Sequence, residues 1–165
     1  LIISNIKVKN HNLSTAIKLT LIIACLLISS CDKRPSKYQQ NNICALFHAH
    51  PSWYKAAKLS QKRWKTPIWA QMAVIHQESR FTEEAKSKNK TFIGIPIPFA
   101  HQSSAYGYSQ ALNETWKNYK VYTKQPNAMR NNFKYATDFV AWYLYRARKY
   151  LHLSNNQIED LYYAY

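Results

Sequence analysis

Proline is tolerated in the first turn of a helix and breaks one deeper in, and Pro51 and Pro67 each stand where a helix can begin. The chain holds only two glycines, Gly94 and Gly107, so little interrupts the helical patterns. Behind Pro51, residues 51–64 (PSWYKAAKLSQKRW) put Trp53, Ala56, Ala57 and Ser60 on one face. Thr66 is placed to cap the next helix, PIWAQMAVIHQES. The longest helical pattern covers residues 129–150, with Phe133, Ala136, Val140, Tyr143 and Leu144 as its apolar stripe. Residues 104–119 start as a turn and become a helix, and Ser154 is placed to cap a last segment, NQIEDLYYAY. The patch TFIGIPIPFA is too short and too broken by proline for a central strand. It reads as a small β-hairpin near residues 91–99, or as an ordered loop. The expected fold class is mainly α. Trp53, Trp64, Trp69, Trp116 and Trp142 fall mostly on core positions by helical spacing.

The first 30 residues read as a leader. Lys7, Lys9 and Lys18 precede the apolar run of residues 19–30, which is shorter than the ~20 residues a membrane-spanning helix needs. The run ends in Leu27-Ile28-Ser29-Ser30-Cys31, which resembles a bacterial lipobox. That resemblance implies a lipoprotein signal peptide, with Cys31 acylated as the first mature residue and a membrane contact through this lipid anchor. An ordinary signal peptide with an incidental cysteine is the other reading. Residues 31–42 are polar, lack apolar periodicity and read as a flexible tether. The folded domain is then expected over residues 43–165, enough for one core.

Once Cys25 leaves with the leader and Cys31 carries lipid, Cys44 has no partner for a disulfide. Its apolar setting, ICALF, reads as a small core residue. All eight acidic residues and 20 of the 23 Lys and Arg follow residue 30, a net charge of +12. Such a balance selects an anionic partner. Nucleic acid is the usual one, but export excludes it. Anionic lipid headgroups and the acidic cell-wall polymer are what an exported chain meets.

The most informative stretch is HQESRF, residues 76–81. Positions 71, 74, 75 and 78 share one helical face, with Val74 and Ile75 core-like. Glu78 therefore points along the core side of a helix end, at the wall of a cleft. Desolvation raises the pKa of a carboxylate in such a place. A carboxylic acid still protonated near neutral pH is the proton donor that glycosidic cleavage needs. The competing reading is a solvated Glu on a frayed last turn.

Two further segments favour chemistry. A helix-ending Glu78-Ser79 with Phe81 two positions on is followed, 29 residues after Glu78, by a Gly-hydrophobic-x-Gln turn in Ala105-Tyr106-Gly107-Tyr108-Ser109-Gln110-Ala111-Leu112. The chain closes on Ala164-Tyr165. In order and spacing this combination resembles the lytic transglycosylase family, whose lysozyme-like domain cleaves bacterial peptidoglycan. The resemblance covers most of residues 43–165. It implies a lysozyme-like helical domain whose third motif begins at Ala164-Tyr165 and is C-terminally incomplete. It also implies roles. Glu78 is the single general acid and later the general base, and Ser79 binds substrate or orients Glu78. Gly107 lets backbone approach the sugar, Tyr106, Tyr108 and Gln110 line the site, and Tyr165 faces Glu78 across the cleft. Tyr108 as a core residue and Gln110 as a helix-start residue are the plain alternatives.

A hydrolytic lysozyme needs a second carboxylate at a set distance from its acid. Glu83 and Glu84 lie in a Lys-rich loop that reads as solvated, and the reach of Glu114 is open. The family reaction needs no second carboxylate and leaves 1,6-anhydromuramoyl ends between N-acetylmuramic acid and N-acetylglucosamine. No cofactor is implied and no metal: His48, His50, His76, His101 and His152 show no H-E-x-x-H spacing. The expected partner is the peptidoglycan glycan strand, in the periplasm-facing cell envelope. A non-catalytic wall-binding lipoprotein and a hydrolytic lysozyme are the rival functions.

Overall fold

The computed structural model describes residues 34–93, 95–153, 157 and 160. Cys31, the leader, Gly94, the expected cap Ser154 and the third-motif residue Tyr165 lie outside the described residues. Among the described residues six helices and one hairpin follow in order: α1 (Lys37–Asn41), α2 (Ile43–Ala49), α3 (Pro51–Trp64), α4 (Ile68–Ser79), β1 (Asn89–Phe92), β2 (Ile95–His101), α5 (Asn113–Thr123) and α6 (Phe133–Tyr150). Mainly α with one small hairpin is the architecture that the proline and glycine pattern predicts. The two strands pair antiparallel, with Thr91 opposite Pro96 and Phe92 opposite Ile95.

Helix α6 is the central element and packs against α3, α4 and α5. Its predicted stripe is buried at Phe133, Ala136, Val140 and Leu144, and partly buried at Tyr143. Behind the stripe lies an aromatic cluster. Phe139 meets Trp116 at 5.1 Å and Tyr119 edge-on at 5.4 Å between ring centroids, and Tyr119 meets Trp142 at 5.4 Å. Such rings supply most of the apolar burial of a small domain. Ala56, Ala57 and Ser60 of α3 are small enough to let α6 approach.

Two polar groups tie the helices together. Gln71 of α4 is fully buried. Its Nε2 donates to the Thr66 and Ala57 carbonyls at 2.9 and 3.3 Å, and its Oε1 accepts from Thr137 Oγ1 at 2.7 Å. Asp138 of α6 accepts from Trp64 Nε1 at 2.8 Å, Tyr119 OH at 2.8 Å and Arg63 Nη1 at 3.1 Å. Buried polar groups satisfied in this way specify one arrangement of α3, α4, α5 and α6.

Several expectations are corrected. Residues 37–41, assigned to the tether, form a helix. Ser36 and Gln39 satisfy each other's backbone amides in a capping box, and Pro35 is buried. Thr66 does not cap α4, because its hydroxyl donates to the Ala141 carbonyl at 2.9 Å and Pro67 stands at the cap position. Cys44 is exposed rather than in the core, since Leu46 takes the buried position of α2. Trp69 is exposed, Trp53 is partly buried, and Trp64, Trp116 and Trp142 are buried.

Candidate active site

Glu78 occupies the last turn of α4. Gln71, Val74 and Ile75 on the same face are buried, and Glu78 is half-buried, where the stripe runs out to the surface. Burial pushes its carboxyl above the usual carboxylate range. Among the described residues no hydrogen bond or ion pair holds it. Its carboxyl is therefore desolvated yet uncommitted.

The chain turns sharply behind Glu78. Arg80 and Phe81 both adopt the left-handed conformation, with φ of 49° and 60°. For residues with a side chain this costs about 1–2 kcal/mol each. The offset is Phe81, which is 3 % exposed and packs against Trp53 and His76. His76, two residues before Glu78, buries its Nε2 without a hydrogen-bond partner among the described residues. Ser79 neither binds Glu78 nor faces outward: its buried hydroxyl donates to the Ile75 carbonyl one turn back, at 3.1 Å.

The turn Tyr106–Gln110 is brought to the segment that follows Glu78. Ala85 O accepts from Gly107 N at 2.8 Å and from Gln110 Nε2 at 2.9 Å. Lys86 pairs with Tyr106, and Ser87 Oγ donates to Ser103 O at 2.8 Å. Gln110 thus joins two loops, a positioning role that neither sequence reading of it anticipated. Gly107 has φ +77°, and a Cβ there would lie 2.3 Å from the Arg130 carbonyl oxygen. The protein's own backbone leaves no room for a side chain here. Tyr108 is a core residue: it is 6 % exposed and meets Trp53 and Phe133 edge-on at 5.5 and 5.3 Å. Trp53 and Phe133 stack at 4.0 Å beneath it. Tyr106 is only partly buried, lies under the Arg130 guanidinium at 5.3 Å, and remains on the accessible side of the turn.

Arg130 is the residue that sequence reasoning missed. One nitrogen, Nη1, donates to the Ser104 and Ala111 carbonyls, both at 2.8 Å, while its own carbonyl accepts from Tyr108 N at 3.3 Å. It clamps both ends of the AYGYSQ turn. No local pattern marks it, because its acceptors lie 26 and 19 residues away in the chain.

Of the loop carboxylates expected to be solvated, Glu84 is exposed, but Glu83 is partly buried. Burial first, then the charges of Glu84 and Glu83, raise the pKa of Tyr106, and burial with Glu83 raises that of Tyr108. Glu114 is exposed in the first turn of α5. Asp138 is committed to its network. Among the described residues no three His, Cys, Asp or Glu side chains come together as a metal site.

The half-buried Glu78 at a helix end and the glycine turn bonded to the Ala85 segment that follows it sit in one helical, lysozyme-like domain. The family model described as Transglycosylase SLT domain matches residues 19–165, and the chain belongs to that family. It is a peptidoglycan lytic transglycosylase domain. Comparison with curated proteins and with solved structures gives no match.

Proposed function

We propose that Glu78 is the single acid and base of this transglycosylase, acting between N-acetylmuramic acid and N-acetylglucosamine. The observation that carries the reading is its half-buried, uncommitted carboxyl, protonated to higher pH than an ordinary glutamic acid. The carboxylic acid gives its proton to the glycosidic oxygen as the C1–O bond breaks. The carboxylate then takes the proton of the muramoyl C6 hydroxyl, whose oxygen attacks C1 of its own ring. A 1,6-anhydro end forms, Glu78 regains its proton, and no water is consumed. Tethering of the nucleophile substitutes for a positioned water, with effective molarities on the order of 10⁵ M or more. Tyr106 supplies an aromatic wall to the site, and Arg130 holds it in place.

A second reading, hydrolysis with Glu83 as the other carboxylate, draws on one observation: Glu83, five residues after Glu78, is partly buried. Mass spectrometry of products from purified peptidoglycan separates them. Anhydro ends support the transglycosylase chemistry at Glu78, and reducing ends overturn it. Acylation at Cys31 would hold the domain at a membrane facing the periplasm. A Cys31→Ala chain that stays in the membrane fraction through a high-salt wash refutes that anchor.

A further inference from the structure

From Lys33 to Gln77 the sequence holds eight Lys and Arg and no Asp or Glu. Folding does not scatter these charges. Lys55, Lys58, Lys62 and Lys65 follow one another at helical spacing along α3 and its cap, and line one open groove of about 630 Å³ with Leu59, Gln61 and Pro67. All four lysines are exposed and, among the described residues, none has an ion-pair partner. Apolar side chains interleave with them: Leu59 is 54 % exposed, and Tyr54, also exposed, lies 5.8 Å from Lys58 Nζ.

We propose that this lysine-lined face of α3 docks the domain on an anionic phospholipid surface. Charge and apolar exposure together favour this occupant. Exposed Leu59 and Tyr54 set apolar side chains among the lysines, a combination that a headgroup region can take up along with the charges. At a bilayer surface, lysine ammonium groups reach phosphates while their stems and Leu59 enter the headgroup region. Pro67, at the groove, and Glu78 lie at opposite ends of α4, about 16 Å apart along its axis. The inference does not depend on the role of Glu78 or on acylation of Cys31.

The test is co-sedimentation of the full chain with vesicles of phosphatidylcholine alone and of phosphatidylcholine with equal phosphatidylglycerol. Parent and variants share the same leader, so its contribution to binding cancels when they are compared. The chain with Lys55, Lys58, Lys62 and Lys65 all changed to Gln is compared with a charge-matched control changed at Lys90, Lys117, Lys124 and Lys149. Binding to phosphatidylglycerol should fall at least ~10-fold relative to phosphatidylcholine in the first and stay within about 3-fold of the parent in the second. Cleavage of soluble glycan fragments should be unchanged in both. Equal loss in the two variants, or no loss in the first, overturns the proposal. So does a selective loss of binding to purified peptidoglycan, which would assign the groove to the wall polymer.

Discussion

The carbonyl oxygen of Arg130 occupies the space where Gly107 lacks a side chain, 2.3 Å from where a Cβ would stand. The same carbonyl accepts from Tyr108 N, and the Arg130 side chain holds Ser104 and Ala111 on either side. Backbone and side chain of one residue thus shape the whole turn that is bonded to the Ala85 segment following Glu78.

Gly107→Ala meets a backbone obstacle as well as an unfavourable positive φ. It should cost on the order of 2 kcal/mol or more, read as a lowered thermal midpoint by circular dichroism. A variant as stable as the parent would show that the Arg130 contact yields freely.

Arg130→Lys retains the charge but shortens the side chain and removes the planar guanidinium whose Nη1 reaches both carbonyls and which lies over the Tyr106 ring. We expect a loss of about 1–3 kcal/mol and a reduced kcat on peptidoglycan, because Tyr106 loses its support. Unchanged kcat with lowered stability would limit Arg130 to a structural part.

Glu78→Gln keeps shape and removes the transferable proton. Activity should fall by at least ~10²-fold, measured by release of soluble products from peptidoglycan. Since the acid must be protonated, parent activity should decline as pH rises through the raised pKa of Glu78. The stability sign follows from the same shift. The folded state holds this proton to higher pH than the unfolded one, so the Glu78 contribution is most favourable below the ordinary carboxylate pKa and is lost as pH rises through the raised value. Glu78→Gln should flatten that slope in denaturant titrations. An active Glu78→Gln enzyme sinks the assignment.

Glu83→Gln distinguishes the two chemistries. If Glu83 only borders the turn, activity should stay within about 3-fold of the parent. A loss comparable to that of Glu78→Gln, about 10² or more, would make it the second carboxylate.

Asp138→Ala strands Trp64 Nε1, Tyr119 OH and Arg63 together. Removing one partner of a buried charged network costs about 3–5 kcal/mol. Because Asp138 is 13 % exposed, the lower end is expected, measured by urea unfolding. A loss below about 1 kcal/mol would show that water replaces the carboxylate without difficulty.

Local chemistry determined much of this protein. The positions of the prolines, the scarcity of glycine and the 3.6-residue stripes in α3, α4 and α6 are properties of short segments, and they define a mainly α domain with a hairpin near its middle. The same periodicity put Glu78 on the core side of a helix end. What the residues there do was decided elsewhere. The sequence signals Gly107, Tyr108, Ser79 and Gln110 as a set, yet the fold spends Gly107 on the Arg130 backbone, Tyr108 on Trp53 and Phe133, Ser79 on its own helix and Gln110 on Ala85. Periodicity reports which face of an element is apolar. It carries no information about which distant carbonyl or ring will meet that face. Arg130 and Asp138 act through partners 13 to 75 residues away in the chain. Their roles exist only once α3, α5 and α6 have packed, because a hydrogen bond is set by a distance of about 3 Å in space and not by separation along the chain.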